Sequence, residues 1–378
     1  MSYDIPPLTV GVEEEYLLVD IETRDLAQDP PKELIDKCRS LHDGQVTHEL
    51  LRSQIEVGTR VCSSIAEARE ELRQLRATVV KVAAEYGLAP IASATHPFAK
   101  WHEQLHTPMA RYATLMSELQ GVARRLVTCG MHVHIGIENP DLRIDMMNQL
   151  KYFLPHLLAF STSSPYWDGA DTGLKSFRLS IFDGLPRTGL PEYFDSYSQY
   201  ERFTEVMTDS GLVEDTSKLW WDIRPNARFP TLEMRITDVC TRLDDSVAIA
   251  AFYVSLASCL QRLRRQNQKW RVYSGSLIKE NRWRAQRYGL DEGLVDFGRR
   301  EIIQWDTLLD EIIDLVGEDA DRLGCLKELE HLRVIRDRGT SAHLQLDTYD
   351  DLKSRGLSHQ DAMCGVVDAL VEGTKADL

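Results

Sequence analysis

The stretch GVEEEYLLVD, residues 11–20, sets three consecutive carboxylates in a segment whose valines, leucines and tyrosine otherwise favour a β-strand. Side chains alternate along a strand, so Glu13 and Glu15 face one side and Glu14 faces the other. Two carboxylates about 7 Å apart on one face repel each other by roughly 2–3 kcal/mol at an effective dielectric constant of about 20. We therefore expect a positive charge between Glu13 and Glu15, or a proton on one of them. The alternative is a hydrated edge strand, and if the face of Glu14 is hydrated, that residue contributes little to stability or activity.

The overall composition argues against some classes of binding partner. Of the 378 residues, 43% are hydrophobic and 27% are charged, which is ordinary for a globular protein large enough to bury a substantial core. The 59 acidic residues outnumber the 44 basic ones, for a formal net charge of −15. A surface of this sign argues against nucleic acid or an anionic membrane as a partner. An anionic substrate is still allowed, because a metal site or local arginines can hold it.

Cysteine usage and the start of the chain indicate a cytoplasmic location. The seven cysteines form no CxxC pair and no repeated spacing, which indicates reduced thiols rather than disulfides or a zinc site. The N-terminal segment MSYDIPPLTV lacks the basic and apolar regions of a signal peptide. No apolar run approaches the length of a membrane span. We therefore expect a cytoplasmic protein with no membrane partner.

The pattern of elements predicts an α+β fold. A helix is expected over SSIAEAREELRQLRATVVKVAAEYGL, with Ser64 and Glu67 as a capping box and Gly87 as its stop, and a second near Asp244 or Asp245. Strands are expected within VTHELLRSQIEVGTR, LAPIASATHPF, CGMHVHIGIEN and TLEMRITDV. Residues 163–194, rich in Gly, Pro, Asp and Ser, are predicted to form a long surface loop with a functional role. Early strands and a mostly helical chain after Asp291 favour an antiparallel sheet.

Two clusters of polar residues lie within these strands. Glu49 and Glu56 are seven residues apart, so a straight strand would place them on opposite faces unless a turn near Arg52 and Ser53 intervenes. His132 and His134 are two residues apart and face one side, as metal-binding imidazoles do. With carboxylates as the available partners, such a site favours magnesium or manganese over zinc. The alternative is a pair of core histidines held by hydrogen bonds.

A third cluster adds positive charge. Glu233 and Arg235 share one face of the strand in TLEMRITDV, and Arg224 and Arg228 precede them closely. Guanidinium groups bind phosphate and carboxylate oxygens bidentately, so carboxylates for metals and arginines for phosphates together predict phosphoryl transfer from a nucleotide. The alternative is a structural ion pair between Glu233 and Arg235. The sequence contains no P-loop, no dinucleotide-binding GxGxxG after a strand, no kinase HRD or DFG set and no GxSxG.

The chain resembles the carboxylate–amine ligase family, the YbdK-type branch of the type 2 glutamate–cysteine ligases, through seven motifs in the family's order. These are GVEEEYLLVD, ATHPFAKW, CGMHVHIGI, SSPYWDGADTG, WWDIRP, TLEMRITD and ENRWRAQRYGL. The resemblance is dense from Thr9 to Leu290 and looser beyond. It implies a glutamine synthetase-like catalytic fold: a curved antiparallel sheet with helices packed on its outer face. We expect residues 1–378 to form a single domain of this kind, mostly helical from about residue 291.

The resemblance also implies roles for individual residues. The expected metal-binding residues are Glu13, Glu15, Glu56, His132 and Glu233, and they hold two or three Mg²⁺ or Mn²⁺ ions together with ATP. Arg235 matches the arginine that contacts the transferred phosphate, and Glu49 an acidic residue near the amine or metal. Arg178, Arg224, Arg228 and His134 are expected to contact substrates or nucleotide, or to support those contacts.

The activity implied is ATP-dependent amide formation between the γ-carboxylate of L-glutamate and an amine such as L-cysteine, by way of an acyl phosphate. The expected assembly is a homo-oligomer, a dimer, and the amine is expected to be selected by residues 163–191. An amine or guanidine kinase on the same fold is one alternative. A nucleotide- or glutamate-binding protein without turnover is another.

Overall fold

The centre of the computed structural model, which describes residues 8–378, is an antiparallel sheet built around the segment that contains the three glutamates. The first seven residues, part of the segment for which we expect no signal peptide, lie outside the described residues. The strands are β1 Val10–Asp20, β2 Val46–His48, β3 Gln54–Gly58, β4 Leu88–Ile91, β5 Met131–Gly136, β6 Tyr166–Trp167, β7 Ala170–Asp171, β8 Thr188–Gly189, β9 Trp220–Trp221, β10 Ile223–Pro225, β11 Thr231–Met234, β12 Leu294–Asp296 and β13 Glu301–Ile303.

Helices surround this sheet and make up most of the last third of the chain. They are α1 Lys32–Leu41, α2 Ile65–Ala84, α3 Ala110–Leu119, α4 Pro140–Leu150, α5 Leu154–Ser161, α6 Phe177–Phe182, α7 Tyr197–Asp209, α8 Leu243–Arg265, α9 Gly275–Tyr288, α10 Trp305–Arg322, α11 Leu326–Arg338, α12 Ser341–Ser354 and α13 His359–Lys375. After residue 291 the chain forms the β12–β13 hairpin and then the four helices α10–α13.

The long strand β1 organises the sheet because it pairs with three other strands. The order is β10-β11-β5-β1-β3-β2, and β4 pairs with the last part of β1. The pairings within this seven-stranded sheet are antiparallel, as the sequence predicted. β1 therefore lies at the centre of the sheet and not at a hydrated edge.

One face of the sheet is apolar and is covered by helices. Along each strand, the residues of this face alternate with polar residues that point to the other face. Val12 of β1, Val133 of β5 and Leu232 of β11 belong to the apolar face, and all three are fully or almost fully buried. Helices α2 and α8 pack against each other behind this face. The expectation that no apolar run approaches the length of a membrane span is wrong for helix α8, which is long and apolar enough by length and composition alone. However, 94% of its most apolar window is buried inside the protein.

Glu14 lies on this apolar face, so the hydrated environment that the sequence analysis considered for it is not present. Its carboxylate is completely buried and accepts hydrogen bonds from Arg76 of α2, from the hydroxyl of Ser246 of α8 at 2.5 Å and from the hydroxyl of Tyr16. A buried carboxylate requires such partners, because an unpaired charge in a core is costly. The alternation of faces that the sequence predicted is nevertheless correct.

The boundaries of the two predicted helices agree closely with the structure. The hydroxyl of Ser64 accepts the backbone N–H of Glu67 at the start of α2, whereas the Glu67 carboxylate binds Ser63 instead of closing the expected box on Ser64. Gly87 adopts φ +70°, a left-handed conformation that glycine tolerates, and the chain then enters β4. Helix α8 begins at Leu243, one residue before the expected start.

The prediction of a long surface loop over residues 163–194 is wrong. The segment forms β6, β7, α6 and β8, and much of it is buried. Its polar residues bind a buried carboxylate: Asp238 accepts the backbone N–H of Ser163 at 2.9 Å and the hydroxyls of Ser164 at 2.8 Å and Ser176 at 2.9 Å. Serines that look like loop residues in the sequence are therefore the partners of a core aspartate.

Candidate active site

The face of the sheet opposite to α2 and α8 carries a row of polar side chains across five strands. The paired residues are Glu15 with Glu56, Glu13 with His132, His134 with Glu233, and Glu233 with Arg224. A cavity of about 490 Å³ lies over this row. The predicted site residues that line it are Glu13, Glu15, Glu49, Glu56, His132, Arg178, Arg224, Arg228, Glu233 and Arg235. Of the eleven predicted, only His134 is not part of the lining, and it lies directly beside Glu13.

The first group of metal-ligand type comprises Glu15, Glu49 and Glu56, whose oxygens lie within 4.8 Å of one another. The chain turns between β2 and β3 at residues 52–53, which brings Glu49 and Glu56 to one side; this is the turn that the sequence analysis raised as one of two possibilities. Burial, together with repulsion among the three carboxylates, raises the pKa of Glu15 and Glu49 to about 7 and that of Glu56 to about 8. In the absence of a cation, this group therefore holds protons near neutral pH.

The second group comprises Glu13, His134 and Glu233, also within 4.8 Å of one another. His132 Nδ1 lies 3.2 Å from Glu13 Oε2, and His134 Nε2 lies 3.4 Å from Glu13 Oε1. Burial by itself would raise the pKa of Glu13, but the hydrogen bonds and charges of the two histidines outweigh it and lower that pKa. The two glutamates of β1 thus meet opposite environments, one beside imidazoles and one among carboxylates.

One of the two imidazoles, that of His132, lines the cavity and has a buried nitrogen atom without a partner. Burial and the nearby Arg235 lower the pKa of His132 to about 4, so its ring is neutral at physiological pH. Nε2 of His132 is buried without a hydrogen-bond partner among the described residues, whereas Nε2 of His134 lies beside Glu13 Oε1 at 3.4 Å. A neutral imidazole with an unpartnered nitrogen is able to bind a metal ion.

The donor set fits hard divalent cations. Carboxylate oxygens dominate both groups and imidazole contributes only to one, which suits Mg²⁺ or Mn²⁺ better than Zn²⁺. The pKa values of Glu15, Glu49 and Glu56 are raised because these buried carboxylates repel one another and are not fully compensated by nearby positive charge. The first group could therefore hold one cation and the second group another.

Positive charge is concentrated at the β10–β11 end of the cavity. Arg235 pairs with Glu233, lies 3.4 Å from His132 Nδ1 through its Nη1 atom, and has a buried Nε that lacks a partner among residues 8–378. Arg228 is exposed at the mouth of the cavity. The ion pair of Glu233 and Arg235 that the sequence analysis raised as an alternative is present, and the pair also faces the cavity.

Arg224 is fully occupied by the protein. Its guanidinium binds the two Glu233 oxygens at 3.1 and 3.2 Å and donates to the carbonyls of Ser217 at 2.7 Å and Leu219 at 2.8 Å. These bonds hold Glu233 in place and leave little capacity for a substrate. The geometry therefore favours a positioning role for Arg224 over the substrate contact that we expected.

Arg178 reaches the site from α6 in the segment anchored by Asp238. It donates to the carbonyl oxygens of Arg235 and Ile236, both at 3.3 Å, and it crosses directly over Gly130. A Cβ atom at Gly130 would lie 2.3 Å from Arg178 Nη2, so only glycine admits this approach. The backbone N–H of Gly130 also donates to Glu15 Oε2 at 2.7 Å.

Sequence reasoning missed Arg111 and Tyr112 at the start of α3. Both line the cavity beside the carboxylate group, and Arg111 donates to the carbonyl of His48 at 3.3 Å and to the Tyr112 hydroxyl. The positive charge of Arg111 lowers the pKa values of Glu49 and Glu56, against the larger effect of burial. In the sequence, an Arg-Tyr pair in a polar helix looks the same as a pair of ordinary surface residues, so no sequence pattern could have identified it as part of the site.

The motif ENRWRAQRYGL has a structural explanation. Arg282 of this motif binds Asp222 of the motif WWDIRP at 2.7 Å and Asp183 at 2.7 and 2.8 Å. Arg282 is buried and does not line this cavity. The motif therefore connects α9 to the strands that carry the arginines.

Comparison with known proteins agrees with this architecture. The family model described as glutamate–cysteine ligase family 2 matches residues 9–372. A protein of Rhodospirillum rubrum, provisionally named glutamate–cysteine ligase 2, is 55% identical over 377 residues, which cover 99% of this chain and 97% of that protein.

Two solved structures share the fold at 13% sequence identity. The glutamate–cysteine ligase of Francisella tularensis in complex with AMP has a TM-score of 0.68 and matches 100% of this chain and 90% of its own. The bifunctional glutathione synthetase of Pasteurella multocida has a TM-score of 0.70 and matches 98% of this chain, which spans 53% of that longer protein. The expected glutamine synthetase-like α+β fold is confirmed, and by its sequence this chain belongs to glutamate–cysteine ligase family 2.

Proposed function

We propose that this protein is an ATP-dependent carboxylate–amine ligase that activates the γ-carboxylate of L-glutamate and joins it to an amine, with L-cysteine as the first amine to test. The observation that carries the proposal is a cavity with two groups of metal-ligand type along its floor and the unpartnered guanidinium nitrogen of Arg235 beside them. Membership of the family supports the same reaction class.

The distribution of charge along the cavity supports different roles for its two ends. Arg235 and Arg228 offer positive charge for phosphate oxygens at the β10–β11 end. Glu15, Glu49 and Glu56 offer negative charge for cations at the β2–β3 end. Bound Mg²⁺ or Mn²⁺ ions, two or three in number, would neutralise charge on the phosphate oxygens, with Glu13, His132 and Glu233 holding those nearer to the nucleotide.

The reaction proceeds in two displacements. A γ-carboxylate oxygen of glutamate attacks the γ-phosphorus of ATP, and the bond to the bridging oxygen breaks to release ADP. The amine nitrogen then attacks the acyl carbon, the bond to phosphate breaks, and the new amide loses a proton. Arg235 stabilises the phosphoryl oxygens during transfer, and Glu49 accepts the proton of the amine. The remaining residues orient the reactants.

Recognition of the amino-acid substrate requires arginines whose guanidinium groups still have hydrogen-bond donors available. Arg111 lies among the carboxylates at the β2–β3 end, and its exposed guanidinium is suited to the α-carboxylate of glutamate. Arg178 borders the cavity between the two ends and faces the same substrate. The amine enters near Glu49.

Trapping by hydroxylamine tests the proposal. With ATP, Mg²⁺ and glutamate, hydroxylamine should intercept the acyl phosphate as a hydroxamate, with ADP formed in equal amount. A kinase that phosphorylates an amine would release ADP and no hydroxamate, and a protein that only binds nucleotide or glutamate would release neither. A mass-spectrometric screen of amines, with L-cysteine first, then identifies the second substrate.

Three further expectations belong to the proposal. The chain acts as a single ligase domain over residues 1–378. It functions in the cytoplasm, a location supported by seven cysteines that are all free thiols. It assembles as a homodimer, which sedimentation velocity will check.

A further inference from the structure

Four aromatic side chains line the cavity, and one of them has no partner. The rings of Tyr112, Phe182 and Trp220 are each covered by a guanidinium, at 4.4, 5.6 and 5.4 Å from the ring centroid. Phe229 has neither a cation nor another ring against it among the described residues, and its side chain is 62% exposed. A single exposed phenylalanine is common on protein surfaces, so a functional role for Phe229 depends on its position beside the cavity.

The backbone of Phe229 is held firmly. Its N–H donates to Asn226 Oδ1 at 3.1 Å, its carbonyl accepts the N–H of Thr231 at 2.7 Å, and the carbonyl of Pro230 accepts the N–H of Ile137 at 2.9 Å. Asn226 in turn donates to Glu233 Oε2 at 2.9 Å. A turn tied to the site in this way presents an apolar ring to the mouth of a polar cavity.

The ring also lies at the correct end of the cavity for a nucleotide. Arg228 precedes it in the same turn, and strand β11, which begins two residues after it, carries Glu233. A nucleoside triphosphate has this layout: charged oxygens at one end and a flat apolar base at the other. With the phosphates beside Arg235 and Glu233, the base reaches the turn.

We infer that Phe229 is the stacking platform for the adenine base of ATP and so determines affinity for the nucleotide. This inference rests on the proposed function, because it assumes that the triphosphate occupies the β10–β11 end. Bases stack on aromatic rings through their faces, and removal of such a ring weakens binding markedly.

Calorimetric titration of the full chain with Mg-ATP and, separately, with inorganic tripolyphosphate tests the inference. In Phe229→Ala we expect the Kd for ATP to rise about tenfold and the Kd for tripolyphosphate, which has no base, to stay unchanged. Phe229→Trp should bind ATP at least as tightly as the native chain. Val206→Ala, at an equally exposed apolar residue of α7 outside the cavity, should alter neither value.

Each result decides between alternatives. Equal ATP affinity in Phe229→Ala and the native chain overturns the inference, and so does equal weakening for ATP and tripolyphosphate, since the residue would then only support the turn. If Phe229→Ala fails to fold, Phe229→Leu replaces it, because leucine keeps the apolar volume and lacks a flat face. Failure of the native chain to bind ATP overturns the proposed function itself.

Discussion

Glu14 and Arg76 form a completely buried bidentate ion pair on the side of β1 opposite to the cavity, with Nε–Oε2 at 2.7 Å and Nη2–Oε1 at 2.6 Å. Arg76 also donates to the carbonyls of Cys240 at 2.8 Å and Thr241 at 2.9 Å. One guanidinium therefore joins α2 and β1 to the chain that leads from β11 into α8.

Replacement of Arg76 by Met should lower the free energy of unfolding by about 3–5 kcal/mol, because it leaves an uncompensated carboxylate in the core. Urea denaturation measures the change. Arg73→Met is the matched control, since Arg73 lies on the same helix and pairs with Glu70 in solvent, and it should leave stability nearly unchanged. Equal effects of the two substitutions would contradict a dominant role for the buried pair.

The two cavity glutamates of β1 should respond in opposite directions when no metal is present. Glu15→Gln removes a carboxylate whose pKa is raised to about 7, so at pH 8 the thermal midpoint should increase. Glu13→Gln removes a carboxylate whose pKa is lowered by two histidines, so the midpoint should decrease. Both should reduce glutamate-dependent ADP release by orders of magnitude. Mild effects of both on turnover would rule out the metal-site proposal.

Stability without divalent cations should decline as pH rises. Glu15, Glu49 and Glu56 keep protons in the folded chain up to about pH 7–8, whereas their ordinary value is 4.5. The extra proton binding therefore stabilises the fold fully below pH 4.5, and this contribution is lost as pH rises through 7 to 8. Glu13 and Glu233 have lowered pKa values, so their contribution is lost only in more acidic solution.

Thermal melts in chelator and in MgCl₂ measure this dependence. Mg²⁺ should raise the midpoint more at pH 8 than at pH 6, because binding requires the carboxylates to be ionised. The decline in chelator should be much smaller in the double variant Glu15→Gln, Glu56→Gln. A midpoint that is independent of both pH and Mg²⁺ would show that the carboxylates do not form a cation site.

Gly130→Ala should impair turnover by displacing Arg178. The new Cβ would lie 2.3 Å from Nη2 and 2.9 Å from Cζ of that guanidinium, which must move. We expect a fall in kcat of at least about tenfold and a stability loss of about 1–3 kcal/mol. Gly121→Ala is the control, since nothing lies within 4 Å of its added methyl group. Normal kinetics in Gly130→Ala would exclude Arg178 from the reaction.

Arg235→Lys should lower turnover more than it weakens ATP binding. Lysine keeps one charge but loses the planar guanidinium and the buried Nε that is free to bind an oxygen. Charge on the phosphoryl group shifts during transfer, so the loss is greatest in the transition state. Steady-state kinetics and calorimetry on the same variant separate the two effects. Unchanged turnover would assign Arg235 to its ion pair with Glu233 alone.

Local alternation was enough to predict the two faces of β1, and distant pairing was not predictable. Strand geometry left the relative placement of Glu49 and Glu56 open, and the roles of the site residues came from the family resemblance. Arg76, in contrast, is 62 residues from Glu14 in sequence. In the sequence it looks like any arginine of an amphipathic helix.

The same limit explains the error over residues 163–194. Their composition is that of a hydrated loop, and the buried Asp238 that binds three of their serines lies 62–75 residues later in the chain. Composition describes what a segment could expose to water. It does not reveal which charged group elsewhere requires its hydroxyls.

The buried ion pair also resolves an ambiguity in a run of identical residues. A slip of β1 by one position would move Glu14 into the cavity and turn Glu13 and Glu15 towards the helices. Arg76 is one cation and could neutralise only one of the two carboxylates that arrived there. The misaligned strand would keep an unpaired charge in an apolar layer, so three consecutive glutamates specify a single alignment of the central strand.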